Sequence, residues 1–118
     1  MAKKHMHIAL VTRQKLFHAE HSALLALHAT KAAAAANNST KVFKEHKRAG
    51  KQAWLAQKLL LKLKRLHTGC LDHSIVYDRT VEEAVENANE SWRAAEVVHR
   101  SLHEPFWAFC HERKAHRV

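Results

Sequence analysis

Glycine and proline are almost missing from this chain, which has two glycines and one proline in 118 residues. Sandwiches and barrels need a turn signal about every 8–12 residues, so this scarcity excludes them. Long helices joined by few loops remain, and a hydrophobic content of 47% is enough to give them a core. The length fits one domain that can bury such a core. We therefore predict a single all-α domain spanning residues 1–118.

The few breaks in the pattern divide the chain into long helices. Residues 37–40, Asn-Asn-Ser-Thr, form the first break, because such side chains bond to nearby backbone and favour turns over helix interiors. Thr68 and Gly69 form a C-terminal stop. The spacing predicts helices over 8–36 and 40–67. A third helix is predicted to begin at Thr80, where Thr80 and Glu83 have the spacing of a capping box.

Pro105 is expected to end or kink the third helix, because the residue before a proline disfavours α geometry. Phe106 would then begin a short final helix. The predicted fold is a three-helix antiparallel bundle with long helices and a short C-terminal fourth helix. The alternative is an extended helical hairpin that completes its core only as a homodimer, because the faces are rich in alanine and poor in aromatic residues.

Apolar spacing predicts which faces are buried. In the first helix Leu10, Phe17 and Leu24 recur every seven residues and are expected to face the core, with Leu16, Leu27 and several alanines on the same side. Trp92 is expected on the core face of the third helix. Phe43, Trp54 and Leu61 widen the apolar arc of the second helix, which is therefore placed centrally; Gly50 is expected at a close crossing. A coiled-coil-like stripe of alternating four- and three-residue steps runs along the second helix: Val42, His46, Ala49, Ala53, Ala56, Leu60, Leu63 and His67.

Charge is distributed unevenly along the chain. The formal net charge is +9, but residues 1–70 carry +12 and residues 71–118 carry −3. Six cations of the second helix fall within an arc of about 60° opposite its core stripe and extend over about 32 Å. This lysine ridge consists of Lys44, Lys47, Lys51, Lys58, Lys62 and Arg65, with Lys41 and Arg48 to one side.

A ridge made of cations alone indicates an anionic partner rather than a face that only keeps the protein soluble. Solvated helix faces ordinarily mix signs at i,i+4 spacing, and Glu45 is the only acid between Lys41 and Arg65. We expect the ridge to contact the phosphates of a nucleic acid, with little sequence specificity, because the ridge is nearly all lysine. The alternative is an inhibitor or adaptor that docks on an acidic protein surface, with Phe106, Trp107 and Arg113 as docking residues.

Glu82, Glu86 and Glu90 form an acidic row on the third helix. Acidic side chains near a helix N-terminus interact favourably with the helix dipole, which explains part of this row. The row could also meet the lysine ridge of a second copy.

Twelve histidines raise the question of a metal. Helix rise places His28, His46 and His99 in one layer of the bundle, and His67, Cys70 and His73 at the opposite end. Neither set has a complete zinc-binding pattern, and histidine also caps helices and packs at core edges without metal. We expect no metal and no cofactor. These six residues are the candidate ligands if a metal does bind.

Catalytic and targeting motifs are missing from the sequence. There is no HExxH sequence, glycine-rich phosphate loop or paired-carboxylate signature. The two cysteines, Cys70 and Cys110, have no disulfide-framework spacing. No apolar run approaches the roughly 18 residues of a membrane span, and the N-terminus lacks a secretory apolar region. We expect a non-enzymatic cytoplasmic protein without membrane contact.

Overall fold

Three long helices packed against one another make up the fold. The computed structural model describes residues 2–67 and 78–116, and the side chains within 6–66 and 78–102. Helix α1 spans Ala2–Ala35, α2 spans Ser39–His67 and α3 spans Arg79–His116. Each helix contacts the other two, which confirms the predicted all-α bundle of three helices. None of the helices, over the residues described, is long and apolar enough to cross a membrane.

A tight turn at Asn37 and Asn38 joins α1 to α2. Asn37 has a φ of 55°, the left-handed conformation that asparagine tolerates better than most residues. The amides of Asn38 and Asn37 donate to the carbonyls of Ala33 and Ala34 at 2.9 and 3.0 Å, which is the Schellman pattern. Asn38 also caps α2, because its Oδ1 accepts from the Lys41 amide at 3.1 Å. The predicted break is confirmed, but it consists of residues 36–38 rather than 37–40, since Ser39 and Thr40 belong to α2.

Asp78, rather than Thr80, caps α3. Asp78 Oδ1 accepts a hydrogen bond from the Val81 amide at 3.2 Å, and the Thr80 hydroxyl donates to the same oxygen. The predicted capping box of Thr80 and Glu83 is therefore wrong, since α3 begins one residue earlier, at Arg79. Asp78 has a second partner that local sequence does not reveal: Arg13 of α1 contacts both of its carboxylate oxygens at 3.1–3.2 Å.

Helix α3 continues through Pro105 to His116 as one element. The predicted short fourth helix is not supported. A proline inside a helix removes one hydrogen bond and crowds the preceding turn, but helices do pass through such positions.

The buried face of α1 is made mainly of small residues. Leu10 and Leu24 are about 40% exposed and Phe17 is half-buried, so the predicted seven-residue pattern is wrong at these positions, whereas Leu16 and Leu27, predicted on the same side, are buried. The buried positions follow the same alternating steps as those of α2: Ala9, Thr12, Leu16, Ala19, Ala23, Ala26, Thr30 and Ala33. Thr12 and Thr30 satisfy their buried hydroxyls by donating to the carbonyls of Ile8 and Ala26, each at 2.7 Å. Alanine at these positions allows neighbouring helices to approach closely.

Two clusters form the core at different heights along the bundle. The larger one brings Ala9 of α1, Leu63 of α2 and Val81 of α3 together. The smaller one, towards the Asn37 turn, brings together Ala26 and Leu27 of α1, Ala49 of α2 and Ala95 of α3. These pairings make α2 antiparallel to α1 and α3. The predicted stripe of α2 is buried at Val42, Ala49, Ala53, Ala56, Leu60 and Leu63.

Candidate nucleic-acid interface

The lysine ridge lies on the outer face of α2. Burial of the stripe from Val42 to Leu63 fixes the rotation of the helix, and the opposite side therefore faces solvent. All six ridge residues are exposed, as are the flanking Lys41 and Arg48. The structure therefore brings the eight predicted residues together on one face of one helix.

The surface along the ridge is shaped by open depressions. One, of about 380 Å³, is lined by Lys44, Lys47 and Lys51 together with Glu45, Arg48 and Gln52. The other, of about 480 Å³, is lined by Lys58, Lys62 and Arg65 together with Leu55, Leu59 and Leu61. Glu45 pairs with Arg48 at 3.2 Å, so the one acid of this segment is directed to a flanking cation. Both depressions are therefore bordered by three ridge cations each.

Large apolar side chains border the ridge on the side towards α3, and sequence analysis did not predict their exposure. Phe43 is 55% exposed, Trp54 62% and Leu61 47%. The wide apolar arc predicted that α2 touches two neighbours, and α2 does contact both α1 and α3. The arc is nevertheless wider than the buried face, because these three side chains stay more than 40% exposed. Contact between α2 and α3 instead occurs closer to the core stripe, through small residues such as Ala49 and Ala95.

Trp92 of α3 extends this border across Gly50. A Cβ built on Gly50 would lie 3.0 Å from the indole Nε1 of Trp92, so the indole fits here because glycine has no side chain. Gly50 was predicted to mark a close crossing, and the structure shows a close contact there, with a side chain of α3 rather than its backbone as the partner. Trp92 is 37% exposed and is therefore a surface residue rather than the core residue that was predicted. We define Phe43, Trp92 and Trp54 as the aromatic row.

The aromatic row and the lysine ridge meet at Lys58. Its ammonium group lies 4.2 Å from the centre of the Trp54 ring, a cation–π distance. The ring of Phe43, at the other end of the row, lies 5.8 Å from that of His99. Cations and exposed rings thus form adjoining strips of one surface.

The predicted histidine layer becomes a pair. His46 and His99 stack with ring centres 4.9 Å apart and planes inclined by 4°. His28 is exposed on α1, so the three do not form the ligand set that their heights in the bundle suggested. His46 Nε2 is buried, and no group of the described residues forms a hydrogen bond with it. The described residues contain no group of three or more His, Cys, Asp or Glu side chains able to hold a metal.

Several predicted residues lie outside the described part of the chain. Cys70 and His73 belong to the segment 68–77, and the side chain of His67 is likewise outside. The same holds for the side chains of the alternative docking residues Phe106, Trp107 and Arg113. These assignments stay predictions.

The acidic side of the molecule is separate from the ridge. Glu82, Glu86 and Glu90 are exposed on α3. Glu90 and Glu20 line a groove of about 540 Å³ between α3 and α1, where Glu20 accepts a hydrogen bond from Asn87 at 2.9 Å. The acidic row therefore lies on a different helix from the ridge. Comparisons with protein-family models, with curated proteins and with solved structures found no match for this chain.

Proposed function

We propose that this chain is a non-enzymatic protein that binds the nucleic-acid backbone through the lysine ridge of α2. The observation that carries the proposal is the continuous exposure of six cations over about 32 Å of one helix face. A phosphate backbone matches such a surface, because each neutralised phosphate releases condensed counterions. A protein that solely needed solubility would gain as much from mixed charges, without repulsion along the helix.

The chemistry of the ridge favours contact with phosphates over contact with base edges. Lysine is a flexible point charge and lacks the planar fork with which arginine recognises guanine. Five of the six ridge residues are lysine. We therefore expect weak sequence preference and an affinity that decreases steeply with salt.

The test is fluorescence anisotropy with labelled duplex DNA, single-stranded DNA and structured RNA from about 50 to about 300 mM salt. The ridge variant carries Lys47→Glu, Lys51→Glu and Lys58→Glu. Each phosphate contact contributes about one to the slope of log affinity against log salt, so the variant should lose about three. The wild-type chain should bind at least one of the three probes at 150 mM salt, roughly the physiological ionic strength.

The matched control carries Lys31→Glu, Arg79→Glu and Arg93→Glu, which are exposed and lie off the ridge. It changes the net charge by the same amount as the ridge variant. If both variants weaken binding equally, only total charge matters and the ridge is not a site. If the wild-type chain binds none of the probes at that salt concentration, the nucleic-acid proposal is wrong and an acidic protein becomes the partner to seek.

A further inference from the structure

The aromatic row next to the ridge indicates the form of nucleic acid that this surface accepts. We propose that the surface binds single-stranded nucleic acid, with unpaired bases stacking on Trp54 and its neighbours in the row while the ridge holds the phosphates. This inference rests on the proposed function and specifies its substrate class.

The first argument is the exposure of rings that the fold could have covered. More than half of Phe43 and of Trp54 faces solvent, although both adjoin a helix interface. Apolar side chains scattered singly on a surface need no explanation, whereas a contiguous patch indicates a binding site. Here Trp92 of α3 lies over Gly50 of α2, and Gly50 lies between Phe43 and Trp54 along α2. The three rings therefore follow one another along that helix.

The second argument is the spacing of the row. Phe43, Gly50 and Trp54 are separated along the axis of α2 by about 10 and about 6 Å, from the helical rise. The row therefore extends for about 16 Å parallel to the ridge, so a strand that follows the cations passes the rings. Such a pairing of a cationic track with stacking platforms is the usual design of single-strand binding surfaces.

The third argument is the contact between Lys58 and Trp54. The ammonium group lies over one face of the indole, 4.2 Å from the ring centre, and the flexible lysine side chain can move from that face to a phosphate. One nucleotide can then place its phosphate on Lys58 and stack its base on the uncovered indole. A duplex cannot use both groups, because its bases are stacked on each other and their faces are covered. The row thus adds affinity only for a strand with unpaired bases.

The experiment compares two single strands of about 15 nucleotides, one with bases and one abasic, which carry the same phosphates. Trp54→Leu keeps an apolar side chain but removes the stacking face, and Trp54→Phe retains a ring. We expect Trp54→Leu to weaken binding of the base-carrying strand on the order of tenfold and Trp54→Phe to weaken it less. Binding of the abasic strand should not change in either variant.

Circular dichroism and thermal melting of each variant show whether it is folded, and Phe43→Leu provides a second variant at the other end of the row. Val97→Ala is the matched apolar control, because Val97 is 66% exposed on α3 and lies outside the row. If Trp54→Leu binds the base-carrying strand and the abasic strand each as tightly as the wild-type chain does, the stacking proposal is overturned and the ridge proposal is left intact.

Failure of every strand to bind would instead overturn the ridge proposal together with this one. Vesicles of anionic and neutral phospholipid form a further arm. Binding to anionic vesicles that Trp54→Leu abolishes, without binding of any strand, would overturn the proposal and assign the surface to membranes.

Discussion

At the scale of single residues, Asp78 shows how one carboxylate fixes the start of a helix and its place in the bundle. It accepts from the Val81 amide, as an N-cap does, and from the Thr80 hydroxyl. It also forms an ion pair with Arg13 at 3.1 Å, which ties α3 to α1. The guanidinium of Arg13, followed by the Thr80 hydroxyl, lowers the pKa of Asp78 to about 2. Ionised Asp78 is therefore favoured by the folded state.

The sign of the resulting pH dependence follows from that lowered pKa. The carboxylate stabilises the fold fully above its ordinary pKa of 3.8, and the contribution disappears as the pH falls towards 2. We expect Asp78→Asn to remove this part of the acid sensitivity, which urea denaturation at several pH values between about 2 and 5 measures. An unchanged acid profile in this variant would contradict the role of the ion pair.

Replacing Asp78 by alanine should cost more than replacing it by asparagine. Asparagine caps helices as well as aspartate does, whereas alanine does not, and loss of a cap costs about 1 kcal/mol. The ion pair itself should contribute less than about 1 kcal/mol, because the Asp78 side chain is 37% exposed and its charge is screened. Thermal unfolding at neutral pH should rank wild type above Asp78→Asn, and Asp78→Asn above Asp78→Ala. Equal stability of the two variants would show that Asp78 does not act as a cap.

At the scale of helices, α2 and α3 approach each other where Gly50 accommodates the Trp92 indole. Alanine in a helix is more stable than glycine by about 1 kcal/mol, but a Cβ at Gly50 would crowd Nε1 at 3.0 Å. We expect Gly50→Ala to give no gain in the wild-type chain and a gain of about 1 kcal/mol in a Trp92→Leu background. Chemical denaturation of the four proteins of this cycle gives the coupling.

A gain of the same size in both backgrounds would show that the indole does not press on Gly50. A second readout of the cycle is binding of single-stranded DNA, because displacement of the indole interrupts the aromatic row. Gly50→Ala should weaken that binding even if its stability is unchanged.

The buried face of α2 could be predicted from sequence, and that of α1 only in part. In α2 the stripe of alternating steps from Val42 to Leu63 contains leucines and a valine, and a run of lysines lies on the opposite side. The apolar and the charged residues therefore predict the same rotation of the helix. In α1 Leu16 and Leu27 are buried as predicted, but Leu10 and Leu24 are partly exposed, and alanines fill most of the buried face. Size misleads where helices lie close together, because only small side chains fit between them. The repeat of Ala, Thr and Leu at alternating three- and four-residue steps was the available signal.

The charges of the candidate site could be predicted from the sequence, and the exposure of its aromatic rings could not. The ridge needs only the rotation of α2, which its apolar stripe determines. Exposure of Phe43 and Trp54 depends on the distance and tilt of α3, and these follow from contacts such as that between Gly50 and Trp92, 42 positions apart in sequence. Local spacing contains no information about such contacts. The same reason explains why Arg13 was not predicted as a partner of Asp78.

At the scale of the whole molecule, the bundle is long and thin. It measures 68 × 32 × 18 Å with a radius of gyration of 19.3 Å. A compact domain of this length would have a radius of gyration of about 13 Å. The largest fully buried side chains include Leu16 and Leu63 of the larger core cluster, whereas alanine dominates the smaller cluster near the Asn37 turn. Because alanine buries less apolar surface, we expect the turn end to be the less stable of the two.

Hydrogen exchange tests this gradient along the helices. Amides of α2 near Ala49 should exchange faster than those near Leu63, since fewer bulky groups stabilise the smaller cluster. Equal protection at both heights would show that the bundle opens as one unit.

The lysine ridge also affects the protein in the absence of any partner. Folding α2 brings Lys44, Lys47 and Lys51 within one or two turns of each other, and like charges at this spacing disfavour a helix by a few tenths of a kcal/mol per pair. Added salt screens that repulsion, so the melting temperature should rise as NaCl increases from about 20 to about 300 mM. The ridge variant should show a smaller rise, because its new glutamates lie beside lysines, and circular dichroism measures both. A melting temperature that falls with salt would contradict this account.

Folding and partner binding would then respond to ionic strength in opposite directions. A polyanion on the ridge would replace the dissolved counterions and relieve the same repulsion, so the chain would gain conformational stability at the moment it engages its ligand. The free protein would thus carry a stored electrostatic strain in its middle helix, and the bound form would be the relaxed one.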